Sequence, residues 1–406
     1  MYQFMTTYIG TGFSSHKDPL LAGKIAATSA QKQIRQQKAD IVLVFSSIHY
    51  KDKRLLEGIS SVFGKDVNIL GCSGFAVIDG SDIYRYGVVV MAIHSLKIKF
   101  GIGRVDQINK DNPRESGEQF AHAALKNLSA KTREIGIIFS DGLVEKGSEL
   151  LSGIKDTWGK SFPIIGASAA DNFTFTKTYQ YFNREVLNNA LIGTILSGEG
   201  VYGYGLRHGW HPLGRPHTVT HSTGNIVRRI ENKPAINIYT DYFKKTAQEI
   251  KSMLTQIGIL YPLGIYVPGE EEYLLRNPIR VDNEGGLVCQ GDVPEASQIR
   301  LMMGTKDSAL QAAKQAAWEA KNAIKNNTLL GAIIFESVSR MKLLGYRIKE
   351  EISIIKNILG ENTHCIGVCT FGEQAPLKSL EYHGESHFHN ETVAVLTIGE
   401  HRAFAE

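Results

Sequence analysis

The chain has 406 residues, of which 43% are hydrophobic and 21% are charged. These fractions are near the average for globular proteins and exclude wholesale disorder. Its 45 lysines and arginines, against 41 aspartates and glutamates, give a formal net charge of +4 that is spread along the whole length. Because this bias is weak, we expect neither nucleic acid nor an anionic membrane as a partner.

Targeting features and cysteine usage point to one compartment. The N-terminus carries no basic region followed by an apolar run, and the apolar stretches are too short to span a membrane. The four cysteines, Cys72, Cys289, Cys365 and Cys369, are too sparse for a disulfide framework. We therefore expect a cytoplasmic protein.

The same order of predicted elements begins twice in the first half of the chain. A helix precedes an apolar strand, a second helix, a glycine-containing strand and a third strand. In the first copy these elements cover residues 19–37, 41–47, 53–63, 67–74 and 87–93. In the second copy they cover residues 113–128, 135–140, 145–158, 163–169 and 190–196. The first helix of each copy starts with a cap and a proline, in Asp18-Pro19 and Asn112-Pro113.

A different stretch separates the second copy from a third. Its pattern predicts a strand over residues 217–230, a helix over 234–254, and short strands over 265–267, 274–281, 286–290 and 298–303. The third copy follows, with elements over residues 308–326, 331–336, 342–359, 364–370 and 392–398. We place a boundary between two packed domains, residues 1–231 and 232–406.

Short landmarks recur in all three copies. Each first strand ends on a phenylalanine and a polar residue, in Phe45-Ser46, Phe139-Ser140 and Phe335-Glu336. Each later strand carries a glycine at the matching place, at Gly71, Gly166 and Gly367. Continuous apolar runs predict strands that are buried on both faces. The sequence therefore predicts an α/β (α+β) fold, in which repeated α-β-α-β-β units form central sheets covered by helices, with αββα layering.

Small residues, most of them polar, follow the landmark glycine in the first two copies. These residues are Cys72, Ser73, Gly74, Ser168 and Asp171. Small residues at a strand end leave backbone N–H groups free and leave space for a ligand. We predict a ligand-binding cleft lined by these five residues, and the alternative is a tight turn packed under a helix. Neither segment matches a phosphate-binding loop or the nucleophile elbow of hydrolases.

Charged residues and possible metal ligands concentrate in the third copy. Arg340 and Glu373 follow strands, where they would bind a polar ligand or form a salt bridge with each other. Cys365 and Cys369 fall in one predicted strand, about 13 Å apart, and cannot share an ion there. The nearby histidines, His364, His383, His387 and His389, lack the spacing of a zinc ribbon. We predict no metal site.

A histidine-containing segment lies between the second and third copies. His208 and His211 flank Trp210, so either imidazole is a candidate ligand for haem, with the indole as an apolar wall. The alternative is a structural segment at a sheet end, in which a histidine bonds to the backbone. His208 is the first candidate, and whether haem is the cofactor is left open by the sequence.

Several segments resemble the two FIST domains. Residues 209–214, 219–227 and 233–239 resemble the end of the N-terminal FIST domain and its junction with the C-terminal one. Segments that resemble the C-terminal domain are residues 276–279, 291–295, 335–340, 371–373 and 389–392. The family's usual motif Gly-Cys-Ser-Thr-Ala-Gly-Glu reads Gly71-Cys-Ser-Gly-Phe-Ala-Val77 in this chain.

The resemblance implies a sensory module of signal transduction that binds a small molecule such as an amino acid. Some bacterial members resemble haem-binding nitric-oxide sensors that regulate a partner histidine kinase, and F-box relatives use the module for protein recognition. We see no kinase or cyclase segment, so we expect this chain to act on a separate partner. A small-molecule sensor is our first hypothesis, with haem and nitric oxide as its sharpest case. A protein-interaction module is the second.

Catalysis is the least favoured class of function. We find no paired acid and base, no nucleophile with a recognisable partner and no cofactor fingerprint in the sequence. We therefore predict that the protein is not an enzyme.

Overall fold

Three mixed sheets form the body of the structure, a computed structural model that describes residues 6–270, 272–377 and 384–402. The first repeat contains β1 (Thr7–Ser14), α1 (Pro19–Gln33), β2 (Ile41–Ser47), α2 (Arg54–Phe63), β3 (Asn68–Gly74), β4 (Val77–Asp79), β5 (Asp82–Tyr84) and β6 (Val88–Ser95). The second contains β7 (Ile98–Val105), α3 (Pro113–Lys126), β8 (Ile135–Ser140), α4 (Gly147–Trp158), β9 (Ile164–Ser168), β10 (Gln180–Phe182), β11 (Glu185–Leu187) and β12 (Leu191–Gly198).

The third repeat is interrupted after its first strand, β13 (Gly200–Arg207). The insertion contains β14 (Trp210–Thr223), β15 (Ile226–Ile230), β16 (Lys233–Pro234), α5 (Asn237–Phe243), α6 (Ala247–Leu260), β17 (Leu263–Ile265), β18 (Leu274–Arg276), β19 (Pro278–Val281), β20 (Leu287–Cys289) and β21 (Gln298–Gly304). The repeat resumes with α7 (Lys306–Ala323), β22 (Thr328–Ser337), α8 (Val338–Leu344), α9 (Ile348–Leu359), β23 (His364–Thr370), β24 (Gly372–Pro376), β25 (Ser386–His389) and β26 (Val393–Glu400).

Equivalent strands take equivalent places in the three sheets. In the first sheet, β2 pairs parallel with β3 and antiparallel with β6, and β6 pairs with β1. In the second sheet, β8 pairs parallel with β9 and antiparallel with β12, and β12 pairs with β7. In the third sheet, β22 pairs parallel with β23 and antiparallel with β26, and β26 pairs with β13. The mixed α/β fold and its repeated units are therefore confirmed.

Each repeat donates a hairpin to the sheet of another repeat, which the sequence analysis did not anticipate. The β4–β5 hairpin pairs with β23 of the third repeat, and the β10–β11 hairpin pairs with β3 of the first. The β24–β25 hairpin completes the cycle by pairing with β9 of the second repeat. Short three-residue strands gave too little periodicity to be recognised before.

The inner faces of the three sheets share one apolar core. Phe45, Phe139 and Phe335 meet there, with ring centroids 5.5, 6.1 and 6.2 Å apart. Alternate residues of each strand, such as Val42 and Val44, face outward and pack under the helices of their own repeat. Three sheets thus meet around a common core, instead of the two sheets of a simple αββα sandwich.

The insertion folds around a separate apolar cluster. Three predicted elements, two in the insertion and one in the third repeat, are divided in the structure. The strand predicted over 217–230 is a hairpin of β14 and β15, and the helix predicted over 234–254 is divided into α5 and α6. The long helix predicted over 342–359 is likewise divided, into α8 and α9. The predicted domain boundary lies within this insertion, and strands from both sides of it pair in the second and third sheets.

No helix among the described residues is long and apolar enough to cross a membrane.

The landmark glycines have a shared physical cause. A Cβ atom at Gly71, Gly166 or Gly367 would lie 1.7, 2.0 or 2.4 Å from the carbonyl oxygen of the neighbouring parallel strand. Real Cβ atoms do not approach so closely, so the backbones of β3, β9 and β23 can reach their partners only where a side chain is absent.

We predict that Gly71→Ala, Gly166→Ala and Gly367→Ala each lower the free energy of unfolding by about 3 kcal/mol, because each forces two strands apart. Gly80→Ala is the control, since its Cβ would meet no atom and only the left-handed φ of 59° opposes it. We expect that control to lose about 1 kcal/mol in urea denaturation. Equal losses for Gly80→Ala and the strand glycines would contradict the close-approach account.

Candidate functional site

The residues of the predicted cleft connect the first repeat to the second. Ser73 donates a hydrogen bond to the Ala170 carbonyl at 2.9 Å and accepts one from the Tyr179 amide at 3.0 Å. Cys72 is enclosed in the shared core, and burial raises the pKa of its thiol. A Cβ at Gly74 would lie 2.2 Å from the Val368 side chain.

Ser168 and Asp171 stabilise the end of β9 and the loop that follows it in the second repeat. The Ser168 hydroxyl lies 3.0 Å from that of Ser140 and accepts a hydrogen bond from Gln374 at 2.8 Å. Asp171 accepts from the Thr174 hydroxyl at 2.7 Å and from several backbone amides of its loop. Burial opposes ionisation of Asp171, but these hydrogen bonds keep its pKa below the usual value. The described contacts of these residues are structural, and their ligand-binding role stays a prediction.

The other two predicted ligand residues, Arg340 and Glu373, lie in a buried polar cluster of the third repeat. Arg340 is fully buried, and its Nε donates to Glu336 Oε1 at 3.0 Å while Nη2 pairs with Glu351. Its other hydrogen bonds go to the carbonyl oxygens of Ala309, at 2.9 Å, and His208. Of the two alternatives for Arg340 and Glu373, a salt bridge between them is wrong, because Arg340 pairs with two other carboxylates. Their role in binding a polar ligand stays a prediction.

Glu373 binds the two points at which the chain leaves and re-enters the third sheet. Its Oε1 accepts from the Thr370 hydroxyl at 3.1 Å, at the end of β23. Its Oε2 accepts from the Thr392 hydroxyl at 2.8 Å, just before β26. Burial raises the pKa of Glu373 to about 8, so the acid is mainly protonated at neutral pH.

Asn390 and Glu391 complete what we call the Arg340 cluster: Glu336, Arg340, Glu351, Glu373, Asn390 and Glu391. Both side chains are buried, and neither has a hydrogen-bond partner for its terminal atoms among the described residues. The remaining oxygens of Glu336 and Glu351 have no other donor among the described residues, and these two carboxyl groups hydrogen-bond each other when one of them is protonated. Glu391 also has a positive φ of 61°, which residues other than glycine rarely adopt.

Burial sets the protonation of the cluster. It raises the pKa of Glu336 well above its ordinary value, and the neighbouring Glu351 carboxyl raises it further. Burial raises the pKa of Glu391 and Glu351 in the same way, although Arg340 opposes the shift. Because one guanidinium can balance one carboxylate in a low dielectric, we expect several of these acids to be neutral at pH 7.

The repeats show that this cluster is a specialisation of the third copy. Glu336 occupies the place of Ser46 and Ser140, whose hydroxyls lie 2.6 Å from Tyr181 Oη and 3.0 Å from Ser168 Oγ. The sequence contained this signal, because Glu336 breaks the Phe-Ser landmark. Glu351 could also have been found, since it falls on the buried isoleucine stripe of α9.

The histidine-containing segment does not fit a haem site at the residues predicted. The Trp210 amide donates to His208 Nδ1 at 2.8 Å, and His208 Nε2 lies 3.3 Å from Glu272. Burial lowers the pKa of His208. Because Nδ1 accepts from the Trp210 amide, the neutral ring carries its proton on Nε2, which has no hydrogen-bond partner among the described residues. His211 is exposed, and the Trp210 indole donates to the Ile259 carbonyl at 3.1 Å.

Side chains that could bind a metal ion are scattered among the described residues. Within residues 6–270, 272–377 and 384–402, no three His, Cys, Asp or Glu side chains are grouped so that they could hold an ion. Cys365 and Cys369 lie in one strand, β23, as predicted. His383 lies outside the described residues.

Profiles of two protein domains match consecutive parts of the chain. The FIST N domain matches residues 40–233 and the FIST C domain matches residues 235–376. The chain belongs to the FIST family. FIST domains are sensory domains for small ligands in signal transduction, and three of the segments that resemble the C-terminal domain meet in the Arg340 cluster.

Relatives of this FIST protein are uncharacterized. A protein of Methanocaldococcus jannaschii is 25% identical over 384 residues, which cover 86% of this chain and 73% of that protein. A Mycobacterium tuberculosis protein is 24% identical over 200 residues, which cover 48% of this chain and 52% of the relative. This chain thus aligns with about half the length of the mycobacterial protein.

Similarity to solved structures is weak. Cyanuric acid hydrolase from A. caulinodans aligns over 98% of this chain and 100% of its own, with 6% identity and a TM-score of 0.39. PurLQS from Thermotoga maritima aligns over 97% of this chain and 72% of its own, with 10% identity and a TM-score of 0.23. Scores this low support no inference about fold or function.

We predict that Arg340→Met lowers the free energy of unfolding by about 3 to 5 kcal/mol, because it leaves Glu336 and Glu351 buried without a cation. Adding Glu336→Gln and Glu351→Gln to this variant removes both acids and recovers most of the loss. Urea denaturation of the single and triple variants measures both effects. A triple variant no more stable than Arg340→Met would show that the ion pairs are not the cause.

Glu373→Gln tests the pKa of the cluster through stability. Because the folded-state pKa of about 8 lies above the ordinary value of 4.5, the native state holds a proton that the unfolded state releases. The stabilisation that the buried, protonated Glu373 gives to wild type is fully present below pH 4.5 and is lost as the pH rises through 8. As the pH rises from about 5 to about 8, we expect the free energy of unfolding of wild type to fall by about 3 kcal/mol more than that of Glu373→Gln. Parallel pH profiles of unfolding would contradict this assignment.

Proposed function

We propose that this FIST protein is a small-molecule sensor whose ligand is a polar metabolite with an amino group, bound at the Arg340 cluster. The observation that supports this proposal is the buried carboxyl group of Glu391, whose two oxygen atoms have no hydrogen-bond partner among the described residues. Buried polar atoms in proteins are normally hydrogen-bonded, so this carboxyl group requires a partner from water or a ligand. A ligand with N–H groups can donate to it once it is ionised.

Protonation gives the cluster a way to respond to such a ligand. The buried acids are favoured in the neutral form because little positive charge balances them. An incoming ammonium group would supply that charge and favour ionisation of a neighbouring carboxyl group. Glu373 would transmit ligand binding to the rest of the structure. Its carboxyl group is hydrogen-bonded to Thr370 and Thr392, where the chain leaves and re-enters the third sheet.

Haem-based sensing of nitric oxide was the sharpest hypothesis from the sequence. An axial ligand needs an imidazole nitrogen with a free lone pair. Nδ1 of His208 accepts from the Trp210 amide, and the neutral tautomer that this bond selects carries a proton on Nε2, which favours the structural role. We therefore do not assign a haem to His208, Trp210 or His211. A polar metabolite is the better supported ligand class.

Signalling would pass to a separate protein. We propose no catalytic activity for this chain and a partner such as a histidine kinase, located with it in the cytoplasm. The four cysteines are all free and buried, which supports a reducing compartment. A role as a protein-interaction module is the alternative if no small molecule binds.

Binding of amino acids and diamines to the full chain tests the proposal. We expect a member of this panel to raise the melting temperature of wild type and to bind saturably in calorimetry. Glu391→Gln removes an ionisable acceptor at constant size, so we expect at least about tenfold weaker binding. Glu361→Gln is the matched control, because Glu361 is exposed whereas Glu391 is buried.

Two results would contradict the proposal. One is the absence of saturable binding throughout the panel. The other is equal affinity of wild type and Glu391→Gln for a ligand that does bind.

A further inference from the structure

A second candidate site is a cavity of about 550 Å³ between the insertion and helix α4 of the second repeat. We call it the insertion cavity. Its apolar wall is formed by residues from α4, from the insertion and from β25, namely Leu151, Ile265, Val267, Leu274, Pro294 and Phe388. This size and lining are typical of sites for small organic molecules.

Arg276 lines the same cavity and is only 2% exposed. Its Nε donates to the Asp292 carbonyl at 2.8 Å, and its Nη1 donates to the carbonyls of Leu275, at 2.8 Å, and Phe388, at 3.1 Å. None of these acceptors is a carboxylate, and Nη2 makes no hydrogen bond with a described residue. Burial lowers the pKa of Arg276 to about 10, as expected for a guanidinium whose charge is poorly balanced.

Buried charges in proteins are normally paired, so the counter-charge of Arg276 needs an explanation. Asp292 lines the cavity, and its charge favours the ionised form of Arg276, but the two side chains do not form a direct ion pair. Burial raises the pKa of the Asp292 carboxyl group, so its balance of the guanidinium charge is incomplete. Lys155 also lines the cavity, with its Nζ 2.6 Å from Glu385 Oε1. Burial lowers the pKa of His387 to about 4, so this imidazole is neutral.

We propose that the insertion cavity binds an apolar molecule that carries one carboxylate, with its head group on Arg276 and its body against the apolar wall. A planar guanidinium suits a planar carboxylate, and both gain strength from a partly buried setting. This site is separate from the Arg340 cluster, and the inference does not depend on the proposed function.

Three probes with the same phenylalkyl body test the head group. These are 4-phenylbutyrate, its neutral carboxamide and the corresponding amine, titrated into the full chain by calorimetry at neutral pH. We expect the carboxylate to bind at least about tenfold more tightly than the amide, and the amine to bind most weakly. Equal affinity for carboxylate and amide, or saturable binding of none of the three, would overturn the proposal.

Variants locate the probe. Arg276→Met should weaken carboxylate binding by at least about tenfold, whereas Asp292→Asn should preserve or strengthen it because a like charge is removed. Ser152→Leu narrows the cavity without touching Arg276, so it keeps the test decisive if Arg276→Met fails to fold. Thr157→Leu is the matched control on the same helix, because Thr157 does not line the cavity.

The outcomes separate clearly. Loss of binding in Ser152→Leu with wild-type affinity in Thr157→Leu places the probe in the cavity. Unchanged binding in Ser152→Leu, or a loss caused by Asp292→Asn that matches the loss caused by Arg276→Met, would overturn the proposal. Glu391→Gln should leave the affinity for 4-phenylbutyrate unchanged, so failure here is distinguishable from failure at the Arg340 cluster.

Discussion

The exchange of hairpins around a shared core is the constraint on which the rest of this structure depends. Each repeat leaves its own sheet after its parallel strand, contributes a hairpin to another sheet and then returns. Backbone groups at these buried crossing points must still be hydrogen-bonded. Polar side chains meet that need, since Ser47 accepts from the Gly87 amide and Asp141 accepts from the Asn189 amide.

The third repeat meets the same need with larger and more acidic side chains. Glu373 spans the crossing points through Thr370 and Thr392, and Glu336 replaces the serines of the other copies. Arg340 then becomes necessary as a counter-ion, because carboxyl groups in a low dielectric are costly when unpaired. A structural requirement of the fold thus places acidic groups together at one crossing point, where they can serve a ligand.

Much of the scaffold could be predicted from the sequence, because apolar runs and caps act locally. The strand Ile41–Ser47 and the helix that starts at Pro19 were recognised from their own residues. The donated hairpins were missed because a three-residue strand such as Val77–Asp79 has no measurable period. Their partners are hundreds of residues away in some cases, and spacing along the chain carries no information about such pairing.

The site was only partly predictable for a related reason. Arg340 and Glu373 were identified as charges at strand ends, but their partners were not, since Glu351 comes from a helix and Glu391 from the return of a hairpin. A sequence shows which charges exist, whereas burial and pairing depend on how distant elements pack. For the small polar residues near Gly71, the sequence favoured a ligand-binding role, whereas their described contacts join the first two repeats.

The protonation state of the cluster is the central claim of this account. Infrared spectroscopy of protein labelled with ¹³C at the glutamate carboxyl groups measures it directly, because protonated and ionised carboxyl groups absorb in separate bands. We predict that at neutral pH part of the labelled signal falls in the protonated band and disappears when the pH is raised. Exclusively ionised glutamate at neutral pH would contradict the account, since the Arg340 cluster would then hold its carboxylates charged without the ligand that we invoke.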